Sequence, residues 1–185
     1  MKIKSLAIPD VKLVSPKRFH DDRGYFEQSY HCRDYENNGI KAKFVQDNHS
    51  ISSKGVLRGL HYQINNSQAK LVSVLAGSVF DVAVDLRQSS PYFGKWVGAE
   101  LSSDNGNQLF IPRGFAHGFL VLSDSVSFFY KCDAYYSPED EVTLRWDDPD
   151  IGVIWPHKTN ENLVVSEKDN NGFLLKTINS NLLFD

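Results

Sequence analysis

Two histidines lie in segments whose spacing could place them in a pocket. The segment from Gly106 to His117 has the form G-x5-P-x-G-x2-H, with Pro112 and Gly114 at its fixed positions. Proline and glycine at this spacing favour a tight turn after a strand, which would direct His117 towards the interior. A plain hairpin turn with a buried histidine explains this segment equally well.

This pattern resembles the second motif of the cupin family, and the first motif is partly present. That first motif reads G-x5-H-x-H, then a glutamate and, seven residues later, a glycine. Gly55, His61 and Gly77 keep their places in the chain. Gln63 replaces the second histidine, and Lys70 occupies the position nearest to the glutamate.

These two replacements change the chemistry expected of the pocket. Metal sites require neutral imidazoles and carboxylates, whereas a lysine brings a positive charge and a glutamine is a weak ligand. We therefore predict that the metal site is lost. A pocket built around His61, His117, Lys70 and Arg58 should instead attract an anion, such as a phosphate or an enolate oxygen.

Short β-branched or alternating runs, separated by Gly, Asn, Ser or Pro, surround these residues. Strands at this spacing are typical of an all-β sandwich or barrel. We expect only short peripheral helices, one over Asp34–Gly39 and one starting with a capping turn at Ser166–Asp169. The predicted strands are Phe44–Gln46, Leu71–Leu75, Val79–Leu86, Trp96–Leu101, Gln108–Ile111, Gly118–Leu122 and Val126–Cys132.

The run from Val79 to Asp85 alternates as a half-buried strand would. Asp81 and Asp85 share one face of this run, and apolar residues occupy the other. No repeat or linker divides the 185 residues, so we expect a single domain over 1–185. The segment from about Asn171 is expected to form a peripheral tail.

Composition argues against several kinds of partner. Twenty basic and twenty-three acidic residues are interspersed, with a net charge of −3, so there is no basic face for nucleic acid. No apolar stretch approaches the length of a membrane span, and the amino terminus lacks a signal-peptide core. Cys32 and Cys132 lack the spacing of a zinc site or disulfide framework. We expect a cytoplasmic protein with no membrane partner.

Most of the chain, from Pro9 to Asp169, resembles the dTDP-4-dehydrorhamnose 3,5-epimerase family of cupin-type enzymes. The resemblance is carried by several long and specific blocks of sequence. They are Arg23–Phe26 (RGYF), Phe44–Ser50 (FVQDNHS), Gly55–Gln63 (GVLRGLHYQ), Phe80–Asp85 (FDVAVD), Phe93–Trp96 (FGKW), Ile111–Phe119 (IPRGFAHGF), Arg145–Pro149 (RWDDP) and Ser166–Asp169 (SEKD).

The resemblance implies a jelly-roll β-barrel, a homodimer that exchanges an amino-terminal strand, and no cofactor. It implies an isomerase that inverts C3 and C5 of dTDP-4-dehydro-6-deoxyglucose through an enolate and gives dTDP-4-dehydro-L-rhamnose. The partner it implies is therefore a nucleotide-sugar substrate.

The resemblance also implies catalytic roles. His61 corresponds to the general base, and Asp169 to the carboxylate that fixes its tautomer and stabilises the imidazolium. Lys70 corresponds to the cation beside the C4 keto oxygen, where it favours the enolate over the ground-state ketone. Tyr130 corresponds to the acid on the opposite face, because a single base that returned the proton to the same side would only regenerate substrate.

Eight further positions correspond to substrate-binding residues. Arginine forks suit diphosphate oxygens, while a tyrosine and a glutamate could stack on a pyrimidine and accept its N–H. Gln28 stands where the family usually has a glutamate, which leaves the nucleotide and the number of inverted carbons open. The eight are Arg23, Gln28, Gln46, Asn48, Arg58, His117, Tyr136 and Glu141.

Three other hypotheses stay open at this point. The enzyme could invert one carbon only, or act on another nucleotide sugar such as a CDP-linked 4-keto-3,6-dideoxyhexose. The chain could instead be a cupin metalloenzyme, against which Gln63 and Lys70 argue. It could finally be a sugar-binding cupin without activity, which the retention of His61 and Asp169 makes improbable.

Overall fold

Two antiparallel sheets face each other and enclose the core. The computed structural model describes residues 1–157 and 162–185. The first sheet has six antiparallel strands, and the second has five antiparallel strands with a short parallel strand beside one of them. This arrangement confirms the prediction of an all-β jelly roll with short peripheral helices.

The strands vary from two to eight residues, and both α-helices are short. The first-sheet strands are β1 (Lys2–Ser5), β2 (Lys12–Ser15), β5 (Gln46–Ser53), β7 (Lys70–Ala76), β10 (Gln108–Ile111) and β12 (Ser125–Cys132). The second-sheet strands are β6 (Val56–Gln63), β8 (Ser78–Asp85), β9 (Trp96–Ser102), β11 (Phe115–Val121), β13 (Glu141–Thr143) and β14 (Val164–Val165). The strand order is β1-β2-β10-β7-β12-β5 in the first sheet and β13-β6-β11-β8-β9 in the second, with β14 parallel beside β6. The remaining elements are the ribbon β3 (Arg18–Asp21) and β4 (Gly24–Glu27), helices α1 (Cys32–Asn37) and α2 (Glu167–Asn170), and 3₁₀ turns at Pro138–Asp140 and Ser180–Leu182.

Strand β8 lies between β11 and β9 in the second sheet and is buried on both faces. Asp81 and Asp85 are fully buried, as are Val82 and Val84 on the opposite face. The prediction of a half-buried strand is therefore wrong. The reason is long-range packing, because Ile151, Trp155 and the carboxyl-terminal segment cover the outer face of this sheet.

The carboxyl-terminal segment from Asn171 lies on that outer face. Ile178 is buried there, and the Phe184 ring lies 5.6 Å from the ring of Tyr62. Tyr62 also donates a hydrogen bond from its hydroxyl to the backbone oxygen of Leu182. The segment thus completes the core of the second sheet.

The two predicted helices are present with shifted ends. Helix α1 covers part of the outer face of the first sheet, where Tyr35 packs with Leu71 and Phe110. Helix α2 begins after Ser166, whose hydroxyl accepts a hydrogen bond from the backbone N–H of Asp169. This is the capping contact that the sequence predicts.

Strand prediction succeeds for the short apolar run of β10 and fails at the start of β5. The bounds of β10 match the prediction. The predicted strand over Phe44–Gln46 is wrong for its first two residues, since β5 begins at Gln46 and the Phe44 ring packs edge-on against Tyr30. The sequence predicted neither the β3–β4 ribbon nor β6. In the described part of the chain, no helix is long and apolar enough to cross a membrane.

Candidate active site

An open cavity of about 300 Å³ lies between the two sheets. Its second-sheet wall includes His61 and His117, which are cross-strand partners on β6 and β11. Its first-sheet wall includes Lys70 on β7 and Tyr130 on β12. The cavity therefore brings together side chains from two separate sheets.

His61 is held by a carboxylate from outside the two sheets. Its Nε2 lies 2.7 Å from Oδ1 of Asp169, which α2 places beside β6. The backbone N–H of Gly59 donates to the other oxygen, Oδ2, at 3.2 Å. Gly59 has a φ of +127°, and a Cβ at this position would lie 2.5 Å from the Cα of Gly118, so only glycine allows this close approach.

The environment of Asp169 keeps its carboxyl ionised. Burial acts to raise the pKa of Asp169, but the hydrogen bonds from His61, Gly59 and Ser166 outweigh it and hold the pKa below its ordinary value. An ionised carboxylate can only accept hydrogen bonds, so Nε2 of His61 carries the proton. Nδ1 of His61 has no partner among the described residues and opens onto the cavity. The geometry leaves that nitrogen free to act as a base.

Lys70 and Tyr130 lie diagonally on neighbouring strands of the opposite wall. The register pairs Lys70 with Cys132 and Tyr130 with Val72, and the Lys70 Nζ lies 6.0 Å from the centre of the Tyr130 ring. Burial lowers the pKa of Lys70, an effect that Cys132, Glu141 and Asp81 oppose. Burial, together with nearby acidic groups, raises the pKa of Tyr130 to about 12. The tyrosine thus stays protonated and can donate a proton.

His117 is bound by a carboxylate of its own. Its Nε2 lies 2.9 and 3.1 Å from the two carboxylate oxygens of the fully buried Asp81. The imidazole also stacks on Phe128, with the ring planes 16° apart. The structure therefore confirms that His117 points inwards, and it shows that His117 is more deeply buried than His61.

Three of the predicted substrate-binding residues lie on β5 or contact it, namely Gln46, Asn48 and Arg58. Arg58 and Asn48 line the cavity. Gln46 lies behind Asn48 and donates from Nε2 to its Oδ1 at 3.0 Å, while Oε1 of Gln46 accepts from the backbone N–H of Tyr136 at 2.9 Å. Gln46 therefore links Asn48 to the loop that carries Tyr136.

Tyr136 and Glu141 stand together at the rim of the cavity. The Tyr136 hydroxyl donates to Glu141 Oε2 at 3.0 Å, and Lys168 binds the same oxygen. Burial acts to raise the pKa of Glu141, but the contacts with Lys168, Tyr136 and His61 outweigh it and lower the pKa. The rim thus presents an aromatic ring beside an ionised carboxylate.

The Gln63 side chain forms hydrogen bonds with the backbone of two loops. Its Nε2 donates to the carbonyl oxygens of Asn66 and Tyr135, and its Oε1 accepts from the N–H of Ser137. The oxygen that a metal would need therefore already accepts a hydrogen bond. Within residues 1–157 and 162–185, no group of three or more His, Cys, Asp or Glu side chains could hold a metal ion.

Two predicted binding residues lie outside the cavity of this chain. Arg23 is on the turn of the β3–β4 ribbon, where it pairs with Asp21 and is 89% exposed. Gln28 is exposed just after β4. The structure of one chain does not bring either residue to His61.

The sequence did not predict three residues that contact the site, Ser52, Asp81 and Lys168. Ser52 binds Arg58, Asp81 binds His117, and Lys168 binds Glu141. The alternation of Asn48, Ser50 and Ser52 along one face of a strand could have indicated the first of these. The other two contacts join residues that are distant in the sequence, so no local pattern shows them.

The fold and the site together define a cupin-class enzyme whose cavity sets a histidine–aspartate pair opposite a lysine and a tyrosine. A family model described as dTDP-4-dehydrorhamnose 3,5-epimerase matches residues 5–177. The chain belongs to this family of isomerases, as its resemblance to the family's sequence blocks predicts.

Individual relatives agree with this assignment. The dTDP-4-dehydrorhamnose 3,5-epimerase of Pseudomonas aeruginosa is 53% identical over 173 residues, which is 93% of this chain and 94% of that protein. The one from Neisseria gonorrhoeae is 56% identical over 86% of this chain, and the match spans 48% of its own length. The crystal structure of dTDP-6-deoxy-D-glucose-3,5-epimerase from Legionella pneumophila in complex with dTDP-4-keto-L-rhamnose matches with a TM-score of 0.96 and 50% identity, over 99% of this chain and 97% of that one.

Proposed function

We propose that the chain inverts C3 and C5 of dTDP-4-dehydro-6-deoxyglucose and gives dTDP-4-dehydro-L-rhamnose. The observation that carries this proposal is the His61–Asp169 pair on one wall of the cavity, with Lys70 and Tyr130 on the other. Inversion requires a base and an acid on opposite sides of a carbon, and these two walls provide them.

The reaction follows from the positions of these groups. His61 Nδ1 takes the proton from the carbon beside the C4 ketone, and the C–H electron pair becomes the C=C bond of an enolate whose charge is on O4. The Lys70 ammonium stabilises that charge. Tyr130 then gives its phenolic proton to the opposite face of the carbon, where the C=C electron pair forms the new C–H bond. Solvent water afterwards accepts the extra proton of the His61 imidazolium and returns a proton to the Tyr130 phenolate.

The same groups could serve both carbons, because C3 and C5 flank the same C4 carbonyl. One cation beside O4 therefore stabilises both enolates. No electron leaves the substrate in either inversion, and the ketone itself acidifies the two C–H bonds. We accordingly propose that the enzyme works without a cofactor.

The nucleotide end of the substrate would lie along the rest of the cavity. Arg58, His117 and Asn48 would bind the diphosphate and sugar, and Gln46 would hold Asn48 in place. Tyr136 and Glu141 at the rim would contact the base, the carboxylate accepting the N–H of a pyrimidine such as thymine.

We further propose that the enzyme is a homodimer in which Arg23 and Gln28 reach the cavity of a second copy. The exposed apolar side chains support this: Phe26 on the ribbon is 70% exposed, and Ile51 and Leu75 on the first sheet are 69% and 58% exposed. A cytosolic location is supported by the two cysteines, which are both free thiols.

The proposed dimer can be tested with Phe26→Glu, which should give a monomer in light scattering. Lys176→Glu, at an exposed position of the carboxyl-terminal segment on the outer face of the second sheet, is the control and should leave the dimer intact. A wild-type protein that is monomeric at micromolar concentration would contradict the proposal.

The proposed reaction is tested by incubation in heavy water. NMR should show deuterium entering both C3 and C5 of dTDP-4-dehydro-6-deoxyglucose, with formation of the L-rhamno product. A panel of dTDP-, CDP- and GDP-linked keto sugars identifies the nucleotide. Exchange at one carbon only, or a preference for a CDP-linked sugar, would favour the alternatives.

A further inference from the structure

Arg58 binds a hydroxyl, whereas most arginines of this chain bind a carboxylate. Five of the seven arginines form an ion pair with a carboxylate, namely Arg18, Arg23, Arg87, Arg113 and Arg145. Arg58 has no carboxylate partner among residues 1–157 and 162–185. Its side-chain partner is the hydroxyl of Ser52, which accepts from Nε at 3.3 Å and from Nη2 at 3.1 Å.

This contact joins the two walls of the cavity. Ser52 lies near the end of β5 in the first sheet, and Arg58 lies on β6 in the second sheet, after the turn that connects the two strands. Ser52 is 7% exposed and shares its strand face with Asn48 and Ser50, which line the cavity. The direction of the Arg58 guanidinium is therefore set from the opposite sheet.

A hydroxyl orients a guanidinium without cancelling its charge. An arginine presents five N–H donors in a rigid plane, and Ser52 engages the edge formed by Nε and Nη2. A carboxylate at the same place would also fix that plane, but it would neutralise the cation. The Ser52 hydroxyl leaves the full positive charge for an anion in the cavity.

We propose that Ser52 is a positioning residue that aims Arg58 at the diphosphate of the substrate while leaving its charge uncompensated. This inference rests on the proposed function, because it assumes a nucleoside diphosphate sugar in the cavity. Ser52 itself does not touch the reacting carbons, so its effect should fall on binding and not on the chemical step.

The test compares four variants in binding and kinetics. Ser52→Ala should weaken dTDP binding about tenfold in calorimetry and raise KM by a similar factor, with kcat within about twofold of the wild type. Ser52→Thr keeps the hydroxyl and should restore both values. Ser52→Asp fixes Arg58 but neutralises it, so dTDP should bind more weakly than to Ser52→Ala. Ser53→Ala, on the exposed face of the same strand, is the matched control.

Thymidine distinguishes positioning of Arg58 from general damage to the cavity. It lacks the diphosphate, so its affinity, measured by NMR titration, should be the same for the wild type and Ser52→Ala. Equal dTDP affinity of these two proteins would overturn the inference, and so would an equal loss of thymidine and dTDP binding. A wild-type protein that does not bind dTDP would instead overturn the proposed function.

Discussion

His61 and His117 are cross-strand partners, yet each imidazole binds a different carboxylate. Asp169 comes from a helix and leaves the His61 side chain 26% exposed, whereas Asp81 comes from the neighbouring strand and buries His117 to 8% exposure. The two pairs differ in the carboxyl group as well as in access, because burial raises the pKa of Asp81, whereas for Asp169 the hydrogen bonds that it accepts outweigh burial and lower the pKa. Only His61 combines a fixed tautomer with an open approach to substrate, which is why we assign the base to it.

Asp169→Asn should lower kcat by about 10²- to 10⁴-fold, because an amide no longer fixes the His61 tautomer or stabilises the imidazolium. The measurement is deuterium exchange into the substrate from heavy water. The pKa of Asp169 is lowered from 3.8, so the carboxylate is ionised at every pH above that value. Its titration therefore does not lower the rate of the wild type on the acidic side of the pH profile above pH 3.8. Glu167→Gln, on the same helix but exposed, is the control and should keep wild-type exchange. Undiminished exchange in Asp169→Asn would remove Asp169 from the mechanism.

Tyr130→Phe should separate proton removal from inversion. His61 can still take and return a proton on its own face, so deuterium should enter the substrate while product formation falls by about 10²-fold or more. Product analysis by NMR measures both quantities in one sample. Tyr135→Phe, a change of the same kind on an exposed loop residue, should have no effect. If Tyr130→Phe formed product at the wild-type rate, another group would have to supply the proton.

Lys70 should set the alkaline limb of the pH profile. Its pKa is lowered from 10.5, mainly by burial, so kcat/KM should fall as the pH rises towards a value below 10.5. Tyr130 keeps its proton to about pH 12 and cannot cause that limb.

Two substitutions of Lys70 test whether this residue causes the alkaline limb of kcat/KM. Lys70→Arg stays charged and should lose the limb, while Lys70→Met should lower kcat by about 10²- to 10³-fold. Because the fold disfavours the charged amine, the unfolding midpoint of Lys70→Met should be no lower than that of the wild type. An unchanged alkaline limb in Lys70→Arg would assign the limb to another group.

Gly59→Ala should destabilise the fold by about 3 kcal/mol or more in chemical denaturation. A Cβ at Gly59 would lie 2.5 Å from the backbone of Gly118, in addition to the strain of a positive φ. Gly39→Ala is the matched control, because Gly39 also has a positive φ but nothing lies within 4 Å of its added Cβ. The control should cost only about 1 kcal/mol. Equal losses in the two variants would show that backbone strain, and not the close strand contact, determines the effect.

The sequence by itself determined the fold class, the family and the histidine at the centre of the site. A short apolar run predicted β10 with its observed ends, and the serine cap of α2 is a local contact that a local pattern can show. The resemblance to the family indicated four candidate catalytic residues, and the structure brings their side chains to one site, with Asp169 beside His61.

The tertiary structure decided what depends on distant parts of the chain. Strand β8 is buried on both faces because the carboxyl-terminal segment packs on the second sheet, which its own alternation cannot indicate. Arg23 lies outside the cavity of its own chain because the ribbon that carries it points away. Ser52 faces Arg58 because the chain passes from the first sheet to the second between β5 and β6, and the two sheets then pack together. Periodicity reports which face of a strand a side chain occupies, whereas its partner across the cavity is fixed only when the two sheets pack together.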